Sequence, residues 1–321
     1  MITLLTTAKA FTGDTGLRQM NALRSWRGAM PDAQILIFGK GIGYEEAARQ
    51  VKAKLVPDIA CNGQGIPQID AMFTYGQKQS DGGPVAYVNC DIILLDEVTS
   101  SVESLTLPKY MLVCQRWNFD IDRVLDQSSV DWQINLQEDV RLRGHLFRYD
   151  AIDFFLWRGD VWSDLPPMVV GRGGYDNWLI YSCRARGIPV VDATETCMII
   201  HQNHDYGHIE GGRDVVMEGP EARRNVELGG GLTHTFKISD ADWRLTKNGL
   251  LRNHCQGDAR RSAEVFAILH PESKLARSGA GQLFLEACYE WMARVGGFRQ
   301  GRLLSCVKFL PWLISRAFGR R

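Results

Sequence analysis

The strongest constraint on the fold is an alternation of short apolar runs and helix-like segments over the first 120 residues. Residues 33–39, AQILIFG, form a continuous apolar run, which is typical of a strand buried on both faces of a parallel sheet. Residues 16–29 instead carry apolar side chains at helical spacing. The predicted strands are 2–8, 33–39, 54–59 and 85–94, and the predicted helices between them are 16–29, 44–53 and 67–79. This order predicts an α/β fold with a Rossmann-like, mixed but mostly parallel central sheet flanked by helices, and a ligand site at the carboxyl ends of the strands.

The rest of the chain is less regular. Residues 110–165 are interpreted as mixed strands and loops, and a helix over 174–186 precedes a strand over 188–194. Residues 206–258 are rich in glycine and polar turn residues and are interpreted as loops. Helical spacing returns over 259–294. We therefore expect one α/β domain over 1–258 and a C-terminal helical extension over 259–321.

Charge and cysteine usage narrow the classes of function. The 37 basic and 37 acidic residues balance, which argues against a nucleic-acid partner recognised through overall charge. The eight cysteines include no CxxC pair, which suits a reducing compartment. The first residues lack the basic and apolar regions of a signal peptide, and no run of about 20 apolar residues indicates a spanning helix. We expect a cytoplasmic protein.

The C-terminal residues 297–321 have a different character. No acidic residue follows Glu290, and Arg302, Lys308 and Arg316 lie beside an apolar stripe at helical spacing. A basic amphipathic segment is suited to the surface of an anionic membrane, here the inner face. A helix docked on the protein's own core or on a second subunit is the alternative.

Three segments carry residues suited to chemistry, and the first is Asn89-Cys90-Asp91. It follows the apolar strand predicted to begin at residue 85. A carboxylate at the carboxyl end of a parallel strand faces the ligand crevice, where it can hold a divalent cation on a diphosphate. The alternative is an aspartate that merely starts the next turn.

The second segment is GRGGYDN, residues 171–177. Gly171, Gly173 and Gly174 permit close approach of the backbone to a ligand. Asp176 lies where the following helix begins, so it is either the N-cap residue or a general base aimed into a pocket.

The third segment is MIIHQNHDYGH, residues 198–208, with histidines at 201, 204 and 208. Zinc is one interpretation, but no HExxH pattern is present and no cysteines flank the histidines at structural-zinc spacing. A polar loop with local hydrogen bonds is the other interpretation.

Taken in order, the three segments resemble those of GT-A-type nucleotide-sugar glycosyltransferases. In detail they are similar to the inverting β-1,4-galactosyltransferase group, which carries a DxD motif, a GWGGEDD-type segment and an MxxH segment. The resemblance implies a GT-A-like fold, a nucleotide-diphosphate sugar as donor, and a glycan or glycolipid as acceptor. It also implies that Asp91, Met198 and His201 hold Mn²⁺ or Mg²⁺ on the diphosphate, and that Asp176 is the general base.

The chain departs from that group at three positions. Asn89 replaces the first DxD acid, Arg172 replaces the tryptophan, and Tyr175 replaces the glutamate beside the base. Candidate contacts to the donor nucleotide are Thr6, Thr7, Lys9, Asn62, Asn89 and Asp91. Candidate contacts to the substrates are Arg116, Trp117, Gly173, Gly174, Tyr175 and His204.

Three other functions stay open on the sequence alone. A non-catalytic GT-A-like domain would bind a nucleotide or glycan without transfer, and Asn89 and Tyr175 suit it. A sugar-nucleotide pyrophosphorylase shares the α/β order but needs a glycine-rich phosphate loop after its first strand, which TTAKAFTGDTG does not supply. A zinc hydrolase would use the histidines. If the ligand set implied by the resemblance is right, the bound ion is Mn²⁺ rather than Mg²⁺, because an imidazole and a thioether beside a carboxylate favour the softer cation.

Overall fold

A computed structural model of the protein describes residues 1–204 and 212–294. The strands are β1 (Thr3–Thr7), β2 (Gln34–Phe38), β3 (Lys54–Val56), β4 (Val85–Val88), β5 (Ile92–Leu94), β6 (Tyr110–Val113), β7 (Arg116–Phe119), β8 (His145–Leu146), β9 (Phe154–Arg158), β10 (Val190–Asp192), β11 (Ile199–Gln202), β12 (Trp243–Thr246) and β13 (Gly249–Arg252). The helices are α1 (Gly13–Ala29), α2 (Tyr44–Gln50), α3 (Ile69–Gln79), α4 (Glu97–Glu103), α5 (Trp132–Arg143), α6 (Tyr175–Ala185), α7 (Gly212–Glu218), α8 (Pro220–Leu228), α9 (Ala259–Leu269), α10 (Lys274–Arg277) and α11 (Gly279–Arg294).

Nine strands of the described residues form the main sheet, in the order β13-β12-β10-β6-β9-β4-β1-β2-β3. The pairs β1–β2, β1–β4, β2–β3, β6–β10 and β10–β12 are parallel, whereas β9 runs antiparallel to both of its neighbours. The predicted mixed, mostly parallel sheet is therefore confirmed. Because β9 is reversed, its first residues lie beside the carboxyl ends of the parallel strands.

Helices cover both faces of this sheet, as continuous apolar strands require. Successive side chains of a strand point to opposite faces, so Leu4 packs with the cluster that contains Trp26 of α1, and Leu5 packs with the cluster that contains Phe73 of α3. The first cluster includes residues of α1, α2 and α4, and the second includes residues of α3, α6 and α9. The result is a three-layer arrangement with a large core on each side of the sheet.

The strand predicted over 85–94 is in fact two strands in two sheets. β4 belongs to the main sheet, but β5 pairs with β11 in a second sheet of order β5-β11-β7-β8. The chain changes sheet at Asn89-Cys90-Asp91, where Ile92 N–H donates to Asn89 O at 3.0 Å in a turn. The two sheets meet at this turn, so Asp91 lies at their junction.

Two other predictions need correction. Residues 110–165 include the helix α5. The sequence analysis missed it because its residues are mostly polar and show little amphipathic pattern. The predicted loop over 206–258 contains, in its described part, the helices α7 and α8 and the hairpin of β12 with β13. The helical prediction for 259–294 is confirmed by α9, α10 and α11.

Several predictions fall partly or wholly outside the described residues. Residues 205–211 include His208, and residues 295–321 include the basic amphipathic segment. The division into domains at residue 258 stays a prediction. The seven cysteines of the described ranges are free thiols. Among the described residues, no helix has the length and apolar character that crossing a bilayer requires.

One buried ion pair connects α9 to the α/β core, and its removal should destabilise the protein. Arg261 Nη2 lies 2.7 Å from Asp240 Oδ2, and the Asp240 side chain is fully buried. We expect Arg261→Met to lower the free energy of unfolding by about 3 kcal/mol, because the Asp240 charge loses its partner. Chemical denaturation measures this change.

Arg260→Met is the matched control on the same helix. Arg260 is highly exposed and pairs with Glu264 at 3.3 Å. Its replacement should cost less than about 0.5 kcal/mol. Equal stability losses in the two variants would contradict the assigned role of the buried pair.

Candidate functional site

A cleft of about 930 Å³ opens at the carboxyl ends of β1 and β4, beside the junction of the two sheets. Its walls come from the loop after β1, the turn at Asn89–Asp91, the end of β11 and the segment that leads into α6. The predicted site residues that line it are Thr7, Lys9, Asn89, Asp91, Arg116, Gly173, Tyr175, Asp176, His201 and His204. This is the edge of the sheet at which α/β proteins bind ligands.

Three potential metal ligands converge in this cleft. His204 Nε2 lies 2.9 Å from Asp91 Oδ2, and His201 Nε2 lies 3.7 Å from the same oxygen. The ligand atoms of all three residues lie within 4.8 Å of one another. A carboxylate with two imidazoles suits a divalent transition metal such as Mn²⁺ or Zn²⁺ better than a purely hard cation.

The surroundings of the cluster are consistent with a bound cation. Asp91 Oδ1 and His201 Nδ1 are buried and, among the described residues, have no hydrogen-bond partner. Such atoms are costly to leave unpaired. Gln202 fixes the neighbouring backbone, because its Nε2 donates to Asp91 O at 3.0 Å and to Arg18 O at 2.8 Å. The three side chains therefore fit a metal site with a rigid support.

Electrostatics favours the ligating protonation states of Asp91 and His201. Burial alone would raise the pKa of the Asp91 carboxyl. The hydrogen bond with His204 and the nearby His201 and Lys9 outweigh burial and hold that pKa well below its usual range. Burial lowers the pKa of His201, and the positive charge of Arg116 lowers it further, against the effect of Asp91. A carboxylate and a neutral imidazole are the ligating forms.

Met198, the third predicted ligand, packs in an apolar cluster, and its place in the ligand set stays a prediction. Its side chain is buried with Ile200 in the apolar cluster of the second sheet, whereas Ile199 belongs to the cluster of the main sheet. Side chains alternate along β11, so Ile199 and His201 share one face, and Met198 packs with Ile200 of the other face. His204, two residues beyond the end of β11, takes the position beside Asp91 instead.

Asp176 lies in the first turn of α6, in the same cleft. The N-cap residue is Gly174, so Asp176 is not the N-cap, which was one of the two roles that the sequence allowed. Burial, with a contribution from the negative charge of Asp153, raises the pKa of Asp176 to about 7, and backbone amides of the helix start partly oppose this rise. Its Oδ1 is buried and lacks a partner within the described ranges. A carboxyl with these properties can accept a proton near neutral pH.

The glycines before α6 serve protein packing more than approach to a ligand. A Cβ on Gly174 would lie 2.8 Å from Val226 Cγ2 of α8, and φ at Gly174 is +96°. Asn225 of α8 holds the segment, since its Oδ1 accepts from Val169 N at 2.9 Å and its Nδ2 donates to Val169 O at 3.0 Å. Gly171 alone has open space around it. The segment that carries Asp176 is thus fixed by α8, and by α7 through the bond from Gly173 N–H to Val216 O at 2.9 Å.

Asp153 is a site residue that the sequence analysis missed. It directly precedes β9, and its Oδ2 lies 2.6 Å from Arg116 Nη1, while its Oδ1 accepts from Asn89 Nδ2 at 2.7 Å. The reversed direction of β9 is what brings Asp153 to the edge where the cleft lies. The sequence does show an acid immediately before the apolar run FFLW. It predicts a residue at the cleft only if β9 is known to be antiparallel.

The remaining predicted contacts lie elsewhere. Thr6 is fully buried in β1, where its hydroxyl donates to Thr7 O at 3.2 Å. Asn62 organises a turn, since its Oδ1 accepts from the amides of residues 64 and 66. Trp117 packs on the apolar cluster of the second sheet. Thr6, Asn62, Trp117 and Gly174 do not line the cleft formed by the described residues.

The protein is similar to solved structures of two sugar-transferring proteins. A mannosyltransferase from Pyrobaculum calidifontis, in complex with GDP-Man and Mn²⁺, aligns with 11% identity and a TM-score of 0.41 over 99% of this chain and 80% of that chain. Glucosyl-3-phosphoglycerate synthase from Mycobacterium tuberculosis aligns with 14% identity and a TM-score of 0.42 over 73% of this chain and 80% of that chain. A structure of the same synthase with Mg²⁺ and UDP aligns with 14% identity and a TM-score of 0.41, over 73% of this chain and 79% of that chain. No family model and no curated protein sequence matches this chain.

The cluster of Asp91, His201 and His204 makes a direct prediction about metal binding. Asp91→Asn should weaken Mn²⁺ binding by at least about tenfold, since losing even an outer partner of a ligand typically costs 10–100-fold. Titration of free Mn²⁺ followed by electron paramagnetic resonance measures the affinity. Met198→Leu should leave it unchanged, because this side chain faces the other way. A loss of affinity in Met198→Leu that equals the loss in Asp91→Asn would contradict the ligand set.

Proposed function

We propose that the protein is a metal-dependent glycosyltransferase that moves a sugar from a nucleotide-diphosphate sugar to a hydroxyl acceptor. The carrying observation is that a metal-ligating cluster and a carboxyl with a pKa of about 7 line one cleft at the carboxyl ends of the strands. The metal cluster suits the diphosphate of a donor, and the carboxyl suits removal of the proton from an acceptor hydroxyl.

On the donor side, Asp91, His201 and His204 would hold Mn²⁺ or Mg²⁺. The cation, when bound, supplies Lewis-acid stabilisation of the charge that develops on the leaving diphosphate. Burial lowers the pKa of the Lys9 amine, and the nearby Asp91 carboxylate opposes this change. Lys9 lines the cleft beside the cluster, and Thr7 lines the adjoining end of β1.

On the acceptor side, we assign the base to Asp176. The carboxylate accepts the proton of the acceptor hydroxyl while the hydroxyl oxygen forms its bond to the anomeric carbon. The bond from that carbon to the diphosphate oxygen breaks in the same displacement, so the configuration inverts and no sugar becomes attached to the protein. Asp153 supports this role because its negative charge helps keep the proton affinity of Asp176 high.

The environment of Asp176 also favours an enzyme over a non-catalytic binding domain. Recognition of a nucleotide or glycan needs no buried carboxyl that titrates near neutral pH, whereas general-base catalysis does. We keep the acceptor as a glycan or glycolipid and do not extend the proposal to galactose. Arg172, Tyr175 and the inward packing of Met198 all depart from the galactosyltransferase pattern.

Asp176→Asn tests the assigned base. We expect this variant to lose about 10²–10⁴-fold in the rate of transfer, the usual contribution of a general base. Binding of UDP or GDP with Mn²⁺, measured by calorimetry, should remain because the metal cluster is untouched. Transfer at the wild-type rate would contradict the assignment.

The pH profile of the wild-type enzyme provides the control. Asp176 must be ionised to accept a proton, so kcat/KM should fall as pH drops through about 7. The residual activity of Asp176→Asn should lack this decline. A decline of the same shape in both proteins would assign the titration to another group.

We also propose that residues 297–321 attach the protein to the inner face of an anionic membrane. This segment lies outside the described residues, and the support is its basic amphipathic sequence. Removing residues 297–321 should abolish co-flotation with vesicles that contain phosphatidylglycerol, while the full chain should not float with neutral vesicles. Unchanged flotation of the truncated chain would exclude this segment as the anchor.

A further inference from the structure

Five lysine and arginine side chains of the described residues line the cleft, and two of them pair with neighbouring carboxylates. Arg116 Nη1 lies 2.6 Å from Asp153 Oδ2. Arg148 Nη2 lies 2.8 Å from Asp150 Oδ2. Because these two arginines already pair with carboxylates of the protein, they attract an anionic ligand only weakly.

The other three, Lys9, Arg18 and Arg172, form no ion pair with a carboxylate within residues 1–204 and 212–294. Two of these cations influence each other directly. Burial is the largest cause of the lowered pKa of Lys9, Asp91 opposes it, and the positive charge of Arg172 lowers that pKa further. Like charges that share a cleft repel each other unless an anion lies between them.

Lys9 and Arg172 are nevertheless on different walls. Lys9 follows β1 and lies beside Asp91, on the wall of the metal cluster. Arg172 belongs to the segment that leads into α6, four residues before Asp176. Arg18 belongs to α1, and its carbonyl oxygen accepts from Gln202 beside the cluster, so it lies on the donor wall with Lys9. On the proposed function, a metal-bound diphosphate with these two cations accounts for the donor wall, and Arg172 is left on the wall of the base.

Arg172 is well placed to receive a ligand. It follows Gly171, whose surroundings are open, and lines the cleft next to Gly173. Its Nη1 donates to Gly171 O at 2.8 Å, which orients the guanidinium and uses one of its five N–H groups. The backbone beneath it is fixed, because Asn225 Nδ2 lies 3.4 Å from Arg172 O. A planar guanidinium on a fixed backbone suits forked binding of phosphate or carboxylate.

We propose that Arg172 binds a phosphate or carboxylate group carried by the acceptor, so that the acceptor is an anionic hydroxyl compound. This inference rests on the proposed function, since it names the acceptor class of the same cleft. An arginine guanidinium suits an anionic group better than a neutral sugar ring.

Glycerol 3-phosphate and glycerol are matched probes of this inference, because they differ only in the anionic group. Each is titrated by calorimetry into full-length protein saturated with Mn²⁺ and with UDP or GDP. We expect wild-type protein to bind glycerol 3-phosphate and not glycerol. Arg172→Gln should weaken the binding of glycerol 3-phosphate by about tenfold or more, the value of one or more charge-assisted hydrogen bonds. Arg172→Lys should recover part of the loss.

Arg148→Gln is the control for a general loss of positive charge in the cleft. Its charge is already matched by Asp150, so glycerol 3-phosphate should bind within about twofold of wild type. Equal weakening by Arg148→Gln and Arg172→Gln would overturn the proposal. So would equal affinity of wild type and Arg172→Gln, or the failure of wild type to bind glycerol 3-phosphate.

The same titrations separate the two sources of an anion. If Arg172 instead holds the donor diphosphate, Arg172→Gln weakens UDP or GDP binding as strongly as Lys9→Gln does, and the acceptor assignment is overturned. If neither nucleotide binds wild-type protein with Mn²⁺, the proposed function fails. In that case, titration of inorganic phosphate into metal-free protein still decides whether Arg172 is an anion site.

Discussion

The geometry of the cleft depends on one ion pair between the two sheets. Arg116 begins β7 of the small sheet, and Asp153 directly precedes β9 of the main sheet. Asp153 also accepts a hydrogen bond from Asn89, at the turn where the chain passes from one sheet to the other. Both charged side chains are about nine-tenths buried, so breaking the pair leaves an uncompensated charge. The same two charges act on the chemistry, since Asp153 raises the pKa of Asp176 and Arg116 lowers that of His201. The ion pair that joins the two sheets therefore also sets the pKa values of one side chain on each wall of the cleft.

The main sheet followed from the sequence because its strands are continuous apolar runs between amphipathic helices. The second sheet did not, since its pairing joins β5, β11 and β7 from distant parts of the chain. The apolar pattern on either side of Asn89-Cys90-Asp91 is the same, so periodicity alone did not reveal that the chain changes sheet there. Helix α5 escaped because few of its residues are buried and its polar side chains have no clear apolar face.

The candidate site was predictable where a residue's position follows from its place in an element. Asp91 at a strand end and Asp176 at a helix start both line the cleft. Met198 was placed by a motif alone, and the structure packs its side chain in the apolar cluster of the second sheet. Asp153 and the contact of His204 with Asp91 depend on strand direction and on a loop, and neither is encoded in local spacing.

Asn225 gives the two walls of the cleft separate supports. The metal cluster is held by Gln202 and α1, while the segment with Arg172 and Asp176 is held by Asn225 of α8 and by the hydrogen bond from Gly173 N–H to Val216 O of α7. On the proposed function, replacements in α7 and α8 act on the acceptor wall and leave the supports of the donor wall in place. Recognition of the acceptor and recognition of the donor would then rest on separate parts of the fold.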